Sequence, residues 1–442
     1  MEKYQTKETQ RRKEIKIYLR RRKIDEREKK DRKSPKGIFQ KLSITVYTSL
    51  ITFLRKKKYI NKKYIVKNHI AVPANFSFES CNDDSILFFK QIISTYLLSD
   101  IVMVIDFTNC TNIDISNAML LDIILKELKI VESKYNSKYY RQVTKKVKYI
   151  KSKNLKTNKC LHIFKFIRLQ PNEVDEEDAF LYLGLKKGWV NRISYRESNK
   201  GSICKDIREF VNSSLKESNA MLNAKGNNKL DNLLSEILNN ADDHSVHKEW
   251  YVNGISYKEI INKEPIIELN LAILNFGFSI FEGIMQTSNK NIKTMEEINH
   301  WYENHIKLMQ MRGATKFSKE NLYTLYSLQE GISRLKYKEE SRGRGTMNFI
   351  RAFIDLGSYG AINPECKSHL NIISGNTIIN CDNEIAPYKD DNCYKLSLNK
   401  YNSIEKLPQK EYLKENNEYF PGTFLEVKIF LNKDFFKQIL SH

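Results

Sequence analysis

The sequence predicts an α/β protein with two folded regions. In the first half, a β-branched apolar run at residues 100–107 is followed by polar turn residues and by helical spacing over residues 116–131. In the second half, an amphipathic helical segment at residues 230–245 precedes strand-like segments at residues 269–280 and 421–430. The length of 442 residues is sufficient for both regions and a tail.

The composition indicates a globular protein with an anionic partner. Hydrophobic residues make up 41% of the chain and charged residues 29%, unlike a membrane or disordered protein. The net charge of +21 favours contact with nucleic acid, nucleotide, an acidic surface or an acidic protein. The chain is also rich in Lys, Asn and Ile, as proteins from AT-rich genomes are, and this is an alternative origin of the charge.

The lengths of the apolar segments and the positions of the cysteines exclude several classes of protein. The longest apolar candidate, residues 44–54, is too short for a membrane-spanning helix, and the charged start does not resemble a secretory signal. The seven cysteines are scattered without a Cys-x-x-Cys pair, which argues against a disulfide framework and structural zinc. We therefore expect a cytoplasmic location.

The first 200 residues divide into an arm and a smaller domain. Basic clusters interleaved with acidic residues over residues 1–36 indicate either a solvated tail or a nucleic-acid- or partner-binding arm. A helix is expected over residues 38–54. We place the basic arm and helix at 1–60, the smaller α/β domain at 61–200 and the second domain at 201–442.

The rest of the smaller domain is predicted to contain an insertion, a second strand and a closing segment. Residues 134–159 are Lys- and Tyr-rich, and we expect an insertion with little core potential. Residues 164–167 are a candidate second strand, and residues 179–185 with Gly188 and Trp189 close the region. The acidic residues 175–178 indicate a helix start.

The most informative segment is the amphipathic helix at residues 230–245. Glu236 and Asn240 are four residues apart, so they project from the same side of this helix, one turn from each other. An amide oxygen beside a carboxylate suits a magnesium-nucleotide site: the amide is a neutral ligand, and the carboxylate orients water. The spacing alone is also common on solvated helices.

Three further segments strengthen this interpretation. The strand at residues 269–280 ends in Asn275 and a glycine turn at Gly277. Residues 341–350 form a glycine-rich loop that opens a helix, an arrangement that binds anions through backbone N–H groups. The strand at residues 421–430 is introduced by a Gly-Thr pair.

In this order the four segments resemble the GHKL family, the ATP-binding domain shared by DNA gyrase B, MutL, Hsp-type chaperones and histidine kinases. The family helix motif is Glu-x-x-x-Asn-Ala, and Glu236-Ile-Leu-Asn-Asn240-Ala matches it. The resemblance covers roughly residues 205–430 and implies a Bergerat-type two-layer α/β sandwich, a mixed sheet with helices on one face. It also implies that Asn240 holds Mg²⁺ bridged to the phosphates of ATP, and that Glu236 is the catalytic base.

The chain departs from the family at the adenine-binding motif, Asp-x-Gly-x-Gly, whose Asp accepts a hydrogen bond from the adenine amino group. The matching positions are Asn275, Gly277 and Ser279, so the charge and the second glycine are lost. Thr423 matches the late-strand threonine near adenine. The resemblance implies a nucleotide-binding set that comprises Asn239, Asn240, Asp243, Asn275, Gly277, Ser279, Arg342, Gly343, Arg344, Gly345 and Thr423.

A lid over the nucleotide is expected between Gly277 and Gly343, with helices over residues 292–311 and 318–336. Lids of this size move or meet partners. Upstream, residues 102–120 resemble the strand–loop–helix of STAS domains, which are substrates and partners of GHKL serine kinases. Ser116 is at the phosphoacceptor position, and the alternative is that it caps the next helix.

These observations favour a Mg-ATP-binding protein that slowly hydrolyses ATP to drive lid closure and partner switching. His69 and His162, the histidines that precede the ATP domain, lie in no dimerisation helix, which argues against a sensor histidine kinase. Two alternatives stay open: a serine protein kinase of the anti-sigma type, and a non-catalytic interaction module with a degenerate pocket. We expect a protein partner, and leave open a homodimer and nucleic-acid binding through the arm.

Overall fold

The computed structural model describes most of the chain from residue 46 onward. The described residues are 46–67, 69–78, 82–99, 102–139, 144–170, 180–189, 199–217, 221–261, 264–312, 317–333, 345–357, 366, 368–382, 384–385, 387–390 and 393–431. The basic arm at 1–36 and the acidic run at 175–178 lie outside these residues. Of the helix expected at 38–54, the structure describes the part from residue 46.

Helices and strands alternate along the described chain, and it is a mixed α/β protein. The helices are α1 (Ser49–Lys56), α2 (Asn82–Leu98), α3 (Ile115–Tyr139), α4 (Leu155–Ile163), α5 (Lys200–Lys216), α6 (Ala224–His244), α7 (Ile280–Gln286), α8 (Ile292–Arg312), α9 (Lys319–Ser327) and α10 (Gly345–Gly357). The strands are β1 (His69–Ala71), β2 (Asn75–Phe76), β3 (Met103–Asp106), β4 (Asn112–Ile113), β5 (Val147–Ile150), β6 (Phe180–Tyr182), β7 (Lys186–Trp189), β8 (Ser245–Ile261), β9 (Glu264–Gly277), β10 (His369–Asp382), β11 (Tyr388–Asp390), β12 (Cys393–Lys395) and β13 (Leu413–Leu431). No described helix is both long and apolar enough to cross a bilayer.

The chain divides into two compact units. The first comprises Met1–His69, Lys90–Val104 and Leu125–Lys148, and the second comprises Ile70–Phe89, Ile105–Ile124 and Tyr149–His442. The domain boundaries at residues 60 and 200 stay a prediction.

A buried lysine organises part of the first unit. The ammonium group of Lys145 donates to the carbonyl oxygens of Tyr96 and Ser99, and its backbone N–H donates to Glu132 at 3.0 Å. The Tyr96 hydroxyl donates to the same carboxylate at 2.6 Å. Our expectation that residues 134–159 lack core potential is therefore wrong, because hydrogen bonds to two carbonyl oxygens offset the cost of burying the ammonium group.

The strand expected at residues 164–167 is also absent, because α4 ends there in a tight cap. Phe164 donates its backbone N–H to Cys160, and Lys165 adopts a left-handed φ of 61°. This conformation turns the chain out of both helix and strand. The short strands β6 and β7 occupy the region expected at 179–189.

Ser116 does not cap helix α3. The helix begins at Ile115, and Asp114 provides the capping contact: one carboxylate oxygen accepts the backbone N–H of Asn117 at 2.7 Å. Ser116 is 0% exposed, and its hydroxyl has no hydrogen-bond partner in the structure. An aspartate two residues earlier can reach the N–H groups of the first turn, whereas a residue inside that turn cannot.

The largest described sheet has six strands and belongs to the second unit. Its order is β10-β13-β9-β8-β6, with β7 also paired to β8. We expected a mixed sheet, but every neighbouring pair in its described part runs antiparallel, because β8 and β9 form a hairpin and β13 returns alongside β10. Strand β13 is thus central, between β10 and β9.

The sheet is buried on both faces. Ile273 of β9 and Leu425 of β13 belong to the core that also includes Leu238 of α6 and Met347 of α10. The next residue of β13, Phe424, points to the opposite face, where its ring centroid lies 5.5 Å from that of Phe78. Both phenylalanines are fully buried. The expected architecture, with helices on one face only, is therefore incomplete. Phe78, which precedes β3 in the chain, covers the other face of the sheet at Phe424.

The expected lid segment contains three described helices, α7, α8 and α9. Helix α8 matches the expectation over residues 292–311. The second expected helix, at 318–336, ends at Ser327 because Leu328 and Gln329 donate to carbonyls only three residues back, and Gly331 then takes a φ of 87°.

Candidate functional site

Helix α6 presents its expected polar pair on the side away from the core. Its N-cap, Asn223, accepts the backbone N–H of Gly226 at 2.8 Å, which fixes the start of the helix. Leu238 and the neighbouring apolar residues are buried, whereas Glu236 is exposed and Asn240 is half-buried. The helical period thus leaves the carboxylate and the amide accessible on one stripe.

The first turn of α10 packs directly against this stripe. A Cβ atom at Gly345 would clash with Oε2 of Glu236 and would lie 3.4 Å from Nδ2 of Asn240. Glycine permits this approach with the Glu236 side chain in place, whereas a Cβ atom would require the carboxylate to move. The amide nitrogen of Asn240 donates to the hydroxyl of Thr346 at 3.1 Å. Three residues that the sequence predicts for one site, Glu236, Asn240 and Gly345, are therefore brought together.

The N-terminus of α10 adds positive electrostatic character. The first N–H groups of a helix have no intrahelical acceptor, and the helix dipole favours an anion there. This helix is 13 residues long and starts at Gly345, beside the α6 carboxylate and amide. The preceding residues Arg342, Gly343 and Arg344 lie outside the described residues, so their predicted role in phosphate binding stays a prediction.

A second group of predicted residues meets on the central strands of the sheet. Asn275 of β9 and Thr423 of β13 are directly paired across the ladder. Gly422 precedes the threonine with a φ of 150°, and a Cβ atom at this position would collide with the backbone oxygen of Asn275. The glycine of the Gly-Thr pair thus lets the two strands approach closely.

Asn275 is one of several buried asparagines whose side-chain amide has an unpaired atom. Its residue is 3% exposed, and its amide nitrogen has no hydrogen-bond partner in the structure. Buried amides of structural asparagines are normally paired, since an unpaired buried donor costs about 1–3 kcal/mol. The amide nitrogen is therefore a buried donor that still lacks an acceptor.

Ser374 of β10 is a site residue that the sequence analysis missed. It is paired with Thr423, and the two hydroxyl oxygens lie 3.0 Å apart. The same hydroxyl accepts the backbone N–H of Ile280, at the start of α7, at 2.8 Å. Nothing local to Ser374 in the sequence signals this position, because strand pairing alone brings it to Thr423.

Ser279 has a structural role that the motif resemblance did not predict. It is the N-cap of α7 and forms a capping box with Glu282, in which each side chain accepts the other's backbone N–H at 3.1 Å. The residue is fully buried. Burial, with the hydrogen bond from Tyr419 to Glu282, raises the pKa of Tyr419. The side chain of Ser279 therefore fixes the start of α7.

The remaining predicted residues lie at the margins of the site. The ammonium group of Lys200 on α5 donates to the amide oxygen of Asn239, which is exposed. Asp243 is half-buried near the end of α6. Gly277 ends β9 and pairs with Ser245 across the ladder.

The arrangement combines oxygen ligands, a helix N-terminus and a buried amide, which suits an anionic ligand with a polar ring. No group of three or more His, Cys, Asp or Glu side chains in the described part of the chain is placed to hold a metal ion by itself. Comparison with protein-family models, curated proteins and solved structures finds no match for this chain.

Proposed function

We propose that the second unit binds Mg-ATP in a Bergerat-type site of the GHKL class. The order of elements along the chain supports this: a helix with Glu236 and Asn240, a strand with Asn275 near its end, the expected lid segment, a helix opened by Gly345 and a late strand with Thr423. We also propose that the segment at residues 102–120, which resembles part of a STAS domain, belongs to a STAS-like domain.

The observation that carries the proposal is the packing of Gly345 against Glu236 and Asn240. Glu236 and Asn240 lie more than a hundred positions before Gly345 in the chain, and the core packing of α6 against α10 brings the three residues together. Their meeting places a helix N-terminus, a carboxylate and an amide at one point, as phosphate binding requires.

Each side chain has a role in this proposal. Donation from Asn240 Nδ2 to Thr346 holds the amide, so Oδ1 is the atom left to ligate Mg²⁺. The ion would neutralise phosphate charge. Glu236 is exposed and would orient the attacking water as the catalytic base. The N-terminus of α10 would bind phosphate oxygens, and Asn275 with Thr423 would bind the base.

Calorimetric titration of Mg-ATP into the full chain tests this function. We expect saturable binding to the wild type and at least tenfold weaker binding to Asn240→Ala. The matched control is Asn228→Ala, an exposed asparagine on the same helix, twelve residues and about 18 Å from Asn240. Wild-type-like affinity of Asn240→Ala, or no binding to the wild type, would refute the proposed function.

Labelled ATP distinguishes the proposed hydrolysis from the alternative, a protein kinase. Free phosphate that disappears in Glu236→Gln supports slow hydrolysis. Label on a protein supports kinase activity. Ser116 is fully buried, so this chain's own STAS-like segment offers no accessible phosphoacceptor at that residue. Binding to neither nucleotide nor magnesium would favour the non-catalytic interaction module.

A further inference from the structure

Asn275 is held at the centre of the sheet. Its backbone pairs with Thr423 on one side and with Trp250 of β8 on the other. Close approach of Gly422 to its carbonyl oxygen leaves no room for a shift towards β13. The amide is therefore presented in a fixed position on the same sheet face as the core residue Ile273, the face to which α6 contributes.

The hydroxyl groups beside Asn275 already have partners. Thr423 Oγ1 lies 3.0 Å from Ser374 Oγ, which also accepts from the N–H of Ile280 and lies 3.2 Å from the carbonyl oxygen of Gly422. The amide nitrogen of Asn275 has no such partner and is buried. A bound ligand that provides an acceptor would satisfy this donor.

An amide and a carboxylate select different purines at this position. A carboxylate only accepts hydrogen bonds, so it pairs with the amino group at C6 of adenine. An amide also donates, and a half-turn of its terminal torsion exchanges donor and acceptor. Guanine and hypoxanthine have an oxygen at C6 that accepts. A carboxylate would repel that oxygen, whereas the amide of Asn275 can bind it.

We infer that Asn275 donates to the base and that the site takes a 6-oxo purine nucleotide, a guanine or hypoxanthine triphosphate, at least as tightly as ATP. This inference rests on the proposed nucleotide site and narrows its ligand. Asn275 is then the residue that determines specificity for the base, while the phosphate-binding end, at Asn240 and Gly345, is indifferent to it.

Competitive titration of the full chain with Mg-GTP, Mg-ITP and Mg-ATP measures this preference. For the wild type we expect GTP and ITP to bind within a few-fold of each other and no more weakly than ATP. In Asn275→Asp the ratio of GTP to ATP affinity should fall at least tenfold, since the carboxylate repels the C6 oxygen and accepts from the adenine amino group. Asn228→Asp, at an exposed position, is the control.

The outcomes separate this inference from the proposed function. A wild type that binds ATP more tightly than GTP overturns the inference and leaves the nucleotide site intact. A folded Asn275→Asp variant with the same ratio of GTP to ATP affinity as the wild type also overturns the inference. If that variant does not fold, Asn275→Ala replaces it, and its affinity for GTP should be lower than that of the wild type. Absence of binding by all three nucleotides overturns both the site and its specificity.

Discussion

The amide nitrogen of Asn240 donates to the hydroxyl of Thr346 at 3.1 Å, across 106 positions of the chain. The bond joins the helix that contains the predicted magnesium ligand to the first turn of the helix that follows the glycine-rich loop. It also determines which atom of the amide is left for a metal ion. Thr346 is therefore a positioning residue for Asn240.

Replacement of Thr346 by valine should weaken Mg-ATP binding. The hydrogen bond contributes about 0.5–1.5 kcal/mol, and its loss frees the amide to rotate, so we expect a roughly two- to twelvefold increase in Kd by calorimetry. Thr346→Ser retains the hydroxyl and should bind like the wild type. Equal affinities of the valine and serine variants would contradict a positioning role.

An alanine at Gly345 should impair hydrolysis more than stability. The added Cβ would displace the Glu236 carboxylate, which is exposed and can turn away, and alanine favours the helix over glycine. We expect phosphate release to fall at least tenfold with little change in Tm. Gly201→Ala in α5 is the control, because a Cβ there has no heavy atom within 4 Å. A large fall in Tm with unchanged hydrolysis would refute this expectation.

Phe78 and Phe424 should be energetically coupled, because their ring centroids are 5.5 Å apart and both side chains are fully buried. A double-mutant cycle of Phe78→Leu and Phe424→Leu in urea unfolding should give a coupling energy of about 0.5–1.5 kcal/mol. The pair Phe78→Leu and Tyr401→Leu should be additive, since Tyr401 is 63% exposed. A coupling near zero for the first pair would show that the two rings do not pack in solution.

The ion pair of Glu268 and Lys428 should make stability depend on pH. Burial acts to raise the pKa of Glu268, but the charge and hydrogen bond of Lys428 at 2.9 Å, with a hydrogen bond from Asn270 and the charge of Lys156, outweigh it and lower the pKa. Because the folded pKa is lowered, the pair stabilises fully above the pKa of the unfolded carboxyl, about 4.3, and less as pH falls towards the folded value.

Lys428→Met tests this dependence. At pH 7 the variant should lose roughly 1.5–3 kcal/mol in the free energy of unfolding, and the difference from the wild type should shrink below about pH 4. The control is Lys410→Met, a substitution of an exposed lysine. A difference of constant size from pH 7 into acid would mean that packing of the lysine stem, and not its charge, is what the variant loses.

Local patterns predicted the elements of the site, and long-range pairing determined how they meet. The period of α6 was sufficient to place Glu236 and Asn240 on one accessible stripe. The capping box of Ser279 and Glu282 is also a local signal, Ser-x-x-Glu, but we assigned Ser279 to the adenine-binding motif instead. Ser374 had no such signal, because only the pairing of β10 with β13 brings it to Thr423.

The errors in the first half have similar physical causes. Lys145 looked incompatible with a core because its partners, two carbonyls and Glu132, are supplied by other parts of the chain. Apolar residues 164–167 looked like a strand, but the left-handed conformation of Lys165 ends the helix and turns the chain. The local sequence reveals neither the distant hydrogen-bond partners of Lys145 nor the backbone conformation of Lys165.

The central position of β13 has a consequence for synthesis on the ribosome. Strands β8 and β9 emerge as a hairpin long before β13 does, and β10 emerges later without its neighbour. Until β13 is translated, both β9 and β10 expose an unpaired edge, the kind of surface on which nascent chains aggregate. The nascent protein should therefore depend on chaperones until β13 has left the exit tunnel, when insertion of this strand completes the sheet and the pairing of Asn275 with Thr423 in one step.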